Sequence, residues 1–292
     1  MIVVWILLGL ILLAMTVAVV ETRILRVTRY SALELAPGLA ASQNGTTKIV
    51  VVSDLHCTGF GRGNRRLIDM IAKEKPDLLI VAGDVINSRP CDIKYSKEFF
   101  DGLKASGIET CYVFGNHEQK LSLIGEEEYN AYVNEMSSHV RIVNNDTFIF
   151  GGITIKGLLI PLRMYRDRLS NIETYFDATE LVGRFEDDGN YHILVAHDPT
   201  FASMYRDIGA DLIIGGHLHG GIIRLPFIGG LISPRHRLFP RRTKGLFDEG
   251  NGKLLVTGGV GWHALPFRFL NDPEICVLEI PKKKSLASDE PE

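Results

Sequence analysis

Asp54 and His56 stand two residues apart at the end of an apolar run. His217 and His219 repeat that spacing inside a glycine-rich turn, Gly216-His217-Leu218-His219-Gly220-Gly221. Side chains at i and i+2 of an extended segment project to the same side, so Asp54 and His56 can hold one metal ion. Asp84 follows Gly83, and its two carboxylate oxygens can bridge a pair of ions. Gly115-Asn116-His117-Glu118 adds a neutral amide oxygen with a proton donor next to it, and His197 ends another apolar run. Nitrogen and oxygen donors without thiolates suit Mn, Fe or Zn, and Mn2+ is the favoured assignment for two divalent ions. Two such ions about 3.5–4 Å apart clamp a phosphoryl group and activate a shared water for in-line attack at phosphorus. His117 is then the general acid for the departing oxygen, a role typically worth ~10²–10⁴ in rate.

Each fragment alone is ordinary. Asp-x-His or Gly-Asp after a strand arises by chance, and one histidine ending a strand is more often structural than ligating. The joint pattern carries the argument: VVVSDLH, IVAGD, YVFGNHE and ILVAH each end in a metal-capable residue, and DLIIGG runs into His217-Leu218-His219. Such β-branched runs predict buried strands at 48–53, 77–82, 109–114, 191–196 and 211–214. Helical patterns at 64–75, stopped by Pro76, and at 94–106 separate the first three. Strands alternating with helices give an α/β domain. The carboxyl ends of its strands form the crevice where distant residues meet. Further strands are predicted at 147–150, 153–158, 253–257 and 275–280.

D-x-H, G-D, G-N-H-E, H and G-H-x-H in that order resemble the calcineurin-like metallophosphoesterases, over about residues 48 to 280. The resemblance implies a four-layer α/β/β/α sandwich of two mixed sheets. It implies that Asp54, His56, Asp84 and His219 hold one metal, and that Asp84 as bridge, Asn116, His197 and His217 hold the other. His117 would sit over the phosphate, with Glu118 holding its imidazole. Gly258-Gly259-Val260-Gly261, Pro266, Arg268 and Pro273-Glu274-Ile275 look like the membrane-anchored subgroup of that family. Some of its members hydrolyse UDP-2,3-diacylglucosamine in lipid A synthesis. The implied substrate is a phosphorylated or nucleotide-linked lipid.

The 292-residue chain opens with Ile2 to Val20, an uncharged apolar run. At ~1.5 Å per residue it reaches roughly 28 Å, enough to cross a bilayer as one transmembrane helix. No basic residue precedes it and the run exceeds a signal-peptide core, so the expectation is an anchor at 2–20. Arg23, Arg26 and Arg29 follow, and the positive-inside rule places the catalytic part on the cytoplasmic side. Residues 21–47 read as a juxtamembrane linker, 48–281 as the catalytic domain, and 282–292 as a charged, disordered tail. Cys57, Cys91, Cys111 and Cys276 form no C-x-x-C pair.

A net charge of -3 disfavours a general nucleic-acid binder. Between residues 222 and 249, Arg224, Arg235, Arg237, Arg241, Arg242 and Lys244 alternate with apolar residues. This stretch reads either as a solvated loop or as a surface for anionic headgroups. His139, His192, His236 and His263 match no ligand position. The alternatives are a nuclease or cyclic-nucleotide phosphodiesterase, and an inactive protein-binding scaffold, against which the full ligand set argues. Oligomeric state is left open by the sequence.

Overall fold

The computed structural model describes residues 1–38, 45–89, 92–165, 175–221, 223–225, 228–232, 239–262 and 266–282. Cys91, Arg235, His236, Arg237 and His263, residues 39–44 of the expected linker and 283–292 of the expected tail lie outside the described residues. The strands are β1 (Arg26–Tyr30), β2 (Thr46–Val52), β3 (Leu78–Ala82), β4 (Thr110–Val113), β5 (Arg141–Ile142), β6 (Asp146–Phe150) and β7 (Ile153–Leu158). They continue with β8 (Tyr191–Ala196), β9 (Leu212–Gly215), β10 (Ile223–Leu225), β11 (Gly229–Ile232), β12 (Gly245–Glu249), β13 (Gly252–Val256) and β14 (Glu274–Pro281). Helices α1 (Ile2–Glu21), α2 (Ala32–Leu35), α3 (Arg65–Lys73), α4 (Asp92–Ala105), α5 (Asn116–Gln119) and α6 (Glu126–Ser137) enter the argument below.

Two mixed six-stranded sheets stack face to face. One has the order β1-β14-β2-β3-β4-β5 and the other β12-β13-β9-β8-β7-β6. Strand alternation builds the layers. In β2, Ile49 and Val51 join Ile80, Val113, Ile155, Ile193 and Ile214 between the sheets. Val50 and Val52 point the other way, against Leu67 and Ile71 of α3 and Phe99 and Phe100 of α4. Leu194, Ile213 and Leu254 cover the far side with Met164, Phe176 and Tyr205. The result is a four-layer α/β/β/α sandwich, in which full burial of each large apolar side chain contributes about 1.5–3 kcal/mol.

One stretch departs from its expected character. Residues 21–47 read as a linker, yet Arg26–Tyr30 is an edge strand running parallel to β14. Its charges hid it: Arg26 pairs with Asp272 at 2.7 Å and Arg29 with Glu74 at 2.8 Å, so the strand is held from its polar side. Charged residues suit an exposed sheet edge. In α2, Leu35 is only 2% exposed and closes one end of the inter-sheet core. The 222–249 stretch likewise contains β10, β11 and β12 among its described residues.

Close packing where β7 passes the chain after β5 gives a direct test. A Cβ at Gly157 would stand 1.6 Å from the Val143 carbonyl oxygen, a backbone atom that cannot swing away. Gly157→Ala is expected to cost about 1–3 kcal/mol, as overpacking does. Urea denaturation of the two proteins checks it; an unchanged midpoint would contradict the contact.

Candidate active site

β2, β3 and β4 run parallel in one sheet, and β8 and β9 run parallel in the other. Their carboxyl ends meet at one edge of the sandwich, and there the structure brings together all nine residues singled out from the sequence. Asp54 and His56 follow β2, Asp84 follows β3, Asn116 to Glu118 follow β4 in the short α5, His197 follows β8, and His217 and His219 follow β9. The turns are tight. Asp54, His56, Asp84, His217 and His219 all have φ between 46° and 64°. For residues other than glycine this left-handed region costs about 1–3 kcal/mol each and persists only where the surroundings impose it.

Backbone bonds between neighbouring turns do the imposing. The Asp54 amide donates to Gly83 O at 2.9 Å, His56 to Asp84 O at 3.0 Å, Gly216 to His197 O at 2.9 Å, and Gly261 to Asp54 O at 2.7 Å. The approach leaves no room for a Cβ at Gly83, which would meet His197 Nδ1 at 2.5 Å, or at Gly216, which would meet Asp54 Oδ2 at 2.5 Å.

Two groups of donors result. The ligand atoms of Asp54, His56 and His219 lie within 4.8 Å of one another, as do those of Asp84, His197 and His217. His56 Nε2 and His219 Nε2 are 3.1 Å apart, and His219 Nε2 is 3.4 Å from Asp54 Oδ1. His197 Nε2 sits 3.0 Å from Asp84 Oδ2 and 3.8 Å from Asp54 Oδ1, linking the groups. Its Nδ1 lies 2.7 Å from Ala82 O, and this bond fixes the ring with Nε2 turned inward. Second bonds of this kind orient histidines at metal sites. Asn116 Oδ1 is buried without a hydrogen-bond partner, a costly state for an amide oxygen unless a cation completes it.

The electrostatics ask for positive charge. Asp54 and Asp84 are 0% and 1% exposed. Burial, with Asp84 beside it, raises the Asp54 pKa to about 6 against the pull of His197. Burial acts on Asp84 too, but His197, His117 and His56 together hold its carboxyl well below the usual range. The same attraction overcomes burial at His197 and raises it to about 10. Without a cation, a protonated imidazole is the counter-charge. The donor set therefore fits two divalent ions: Asp54, His56 and His219 for one, His197, His217 and Asn116 for the other, with Asp84 between them.

Glu118 has a different task from the one expected. It does not spend its oxygens on the His117 imidazole: Oε2 accepts from the amides of Asp84 at 3.0 Å and Gly115 at 2.8 Å, and Oε1 from Val85 at 2.7 Å and Ile86 at 3.3 Å. A buried carboxylate one residue beyond His117 thus ties the turn after β3 to the turn after β4. Ser88 takes the imidazole, with Oγ 2.9 Å from His117 Nδ1.

Several supporting residues escaped sequence reasoning. Asn87 Oδ1 lies 3.1 Å from His56 Nδ1, Ser53 Oγ donates to Asp54 Oδ2 at 2.6 Å, and Asn271 Nδ2 donates to the carbonyls of His219 at 2.6 Å and Gly221 at 2.8 Å. Asn87 and Ser88 come three and four residues after Asp84, and that nearness was the available signal. Arg268, noted only as part of a resemblance, is 2% exposed and donates to Gly258 O at 2.9 Å, Gly259 O at 3.2 Å and Gly261 O at 3.0 Å. It holds the loop that backs Asp54.

His139 and His192 lie elsewhere, paired with Asp101 at 2.7 Å and Asp188 at 2.8 Å. A cavity of about 750 Å³ opens beside Gly107 to Thr110, at the amino end of β4 and so at the opposite end of that strand from Asn116.

A profile described as calcineurin-like phosphoesterase matches residues 47–221. The chain is similar to the Bacillus subtilis (strain 168) protein named Uncharacterized metallophosphoesterase YkuE, 27% identical over 253 residues that cover 80% of this chain and 78% of that protein. It is similar to an Uncharacterized metallophosphoesterase of Aquifex aeolicus, 28% identical over 275 residues covering 90% and 94% of the two chains. It also resembles the Escherichia coli (strain K12) protein named Phosphodiesterase YaeI, 28% identical over 250 residues covering 80% and 82%.

The placement of Glu118 makes a prediction. Glu118→Gln keeps the shape but turns an NH2 group toward one pair of amides. It is expected to lose roughly 1.5–3 kcal/mol of stability, as a charged acceptor's bonds are lost. Denaturation of the metal-free protein reads this directly, and a variant as stable as wild type would refute the anchoring role.

Proposed function

The chain belongs to the calcineurin-like phosphoesterases, and from that premise we propose a two-metal hydrolase of phosphodiester or pyrophosphate bonds that works at a membrane surface. The observation that carries the reading is the convergence of Asp54, His56, Asp84, Asn116, His197, His217 and His219 on one strand-end edge. When bound, the two cations supply Lewis-acid polarisation of a phosphoryl oxygen and lower the pKa of a bound water. The chain's own groups do the rest. Asp84 faces both donor groups, and the Asn116 amide offers a ligand that adds no negative charge. A ring nitrogen of His117 lies within 4.8 Å of the ligand atoms of His56 and Asp84, where a phosphoryl oxygen would sit. With Nδ1 held by Ser88, the ring can deliver a proton to the leaving oxygen from its other nitrogen. Lys120 Nζ, 3.5 Å from His117 Nε2, adds positive charge at that corner.

The membrane part of the proposal rests on α1. It is an apolar helix, Ile2–Glu21, charged only at its last residue, with a mean hydropathy of 2.9 and 6% of its most apolar window buried. Twenty residues rise roughly 30 Å, matching the hydrocarbon layer. Arg23, Arg26 and Arg29 favour a cytoplasmic catalytic domain. A lipid with a phosphodiester or nucleotide-diphosphate headgroup suits a site held there, UDP-2,3-diacylglucosamine among such lipids, and Mn2+ suits the donors.

Full-length protein in detergent should lose hydrolysis of bis(p-nitrophenyl) phosphate on chelation and regain it with Mn2+. Asp84→Ala should remain inactive. His117→Ala should keep its metal but turn over ~10²–10⁴ more slowly, the loss being larger for an alkyl than for an aryl leaving group. Comparing UDP-2,3-diacylglucosamine with UDP-N-acetylglucosamine, cyclic nucleotides and DNA tests the substrate class. Wild type that holds no transition metal and cleaves no phosphodiester would end the proposal, and preference for the soluble substrates would end its lipid part. Protease added to intact cells should leave the catalytic domain uncut; ready digestion would place it outside.

A further inference from the structure

The last turn of α1 is docked on the catalytic domain. Ala18 is fully buried, and its carbonyl accepts the Arg268 amide at 3.2 Å. Thr22 is 1% exposed, and Glu21 Oε2 meets the Asn271 amide at 3.5 Å. Arg66 reaches Arg23 O at 3.5 Å, and the Arg26 amide donates to Pro273 O at 2.8 Å as β1 enters the sheet. These contacts leave no slack between helix and domain.

The docking fixes a height. Ala18 lies within the apolar run, so residues 268–271 stand level with the last turn of the membrane-spanning helix. That segment exposes Leu270, at 47%, and the turn after α1 exposes Ile24, at 38%. The same segment reaches the metal-site loop through the bonds of Asn271 to His219 O and Gly221 O. It also carries the β10–β11 hairpin, through the Arg224 amide bonded to Phe269 O at 3.0 Å, and this hairpin exposes Ile228. Exposed Arg23, Arg26 and Arg66 surround the junction. Apolar side chains ringed by arginines at the end of a spanning helix have the chemistry of an interfacial surface.

We infer that α1 and the catalytic domain form one rigid body that seats Ile24 and Leu270 in the headgroup layer of an anionic phospholipid bilayer, with the His217–Gly221 loop held at the membrane surface. The inference rests on the proposed membrane reading and adds to it: a tethered enzyme could sample any height, whereas this one has a single height. Arg268 and Asn271 are positioning residues in this arrangement, joining the anchor to the metal loop.

Depth-dependent quenching tests it on the full chain. Trp5 and Trp262 are the two native tryptophans and are replaced by Phe. Single tryptophans are then introduced as Leu270→Trp, as Ile24→Trp in a second variant, and as Ile149→Trp on β6 for a control. Each is reconstituted in vesicles of phosphatidylglycerol and phosphatidylcholine with brominated acyl chains. Positions 270 and 24 should lose roughly half their emission, as side chains buried ~5–10 Å in the interface do, and position 149 none. A variant keeping only Trp5 reports on the helix itself. Quenched Trp5 with bright 270 and 24 overturns the inference alone and leaves a loosely tethered enzyme. Trp5 unquenched, in protein that does not float with the vesicles, overturns the membrane reading and the inference with it. Hydrolysis of bis(p-nitrophenyl) phosphate by the same samples tests the two-metal reading separately.

Discussion

Two buried carboxylates that flank one imidazole, His197, are the constraint around which this structure is arranged. Asp54 and Asp84 have been taken out of water, and their mutual repulsion is repaid only by positive charge between them. His197 supplies it as an imidazolium when no cation is present. Divalent ions supply it more completely, which ties the affinity of the site for metal to the fold itself. Glu118 is a third buried acid in the same volume, pushed up by burial and by Asp84, and it is stabilised by another route, hydrogen bonds from backbone amides. The left-handed turns and glycine contacts at this edge follow from the need to bring strand ends close enough to share those charges.

What could be read from the sequence was what depends on local pattern. Runs such as KIVVVS and YHILVA are apolar on both faces because both faces are covered, so the strands and the α/β class were visible. The motifs were visible because each sits at a strand end, and the parallel strands of both sheets deliver those ends to one edge. The left-handed conformations at Asp84, His217 and His219 had no signature beyond neighbouring glycines, and those at Asp54 and His56 had none.

The illegible parts depend on partners far away in the chain. β1 is held in its sheet by β14 and by ion pairs with Asp272 and Glu74, none of them near it in sequence. Its own residues, RVTRY, carry no apolar run. The family resemblance made Glu118 a partner for His117, and nothing in the sequence pointed to backbone amides instead. Three of its four amide partners lie on the turn after β3, some thirty residues earlier. Arg268 was a letter in a pattern until its burial among glycine carbonyls gave it a task, and Ser88 is too common a residue to be noticed.

The place of β14 has a consequence for how the chain is made. This strand, which follows all the others in the chain, lies between β1 and β2, which precede them. A ribosome that has delivered α1 and the first strands cannot close that sheet, because the middle piece is synthesised late. Until then β1 and the inner edge of β2 have no neighbour, and the nascent domain is left with an open seam. Contacts of such long sequence separation form slowly. A ribosome that stalls before residue 274 would leave a chain with an exposed strand edge, a natural target for chaperones and proteases.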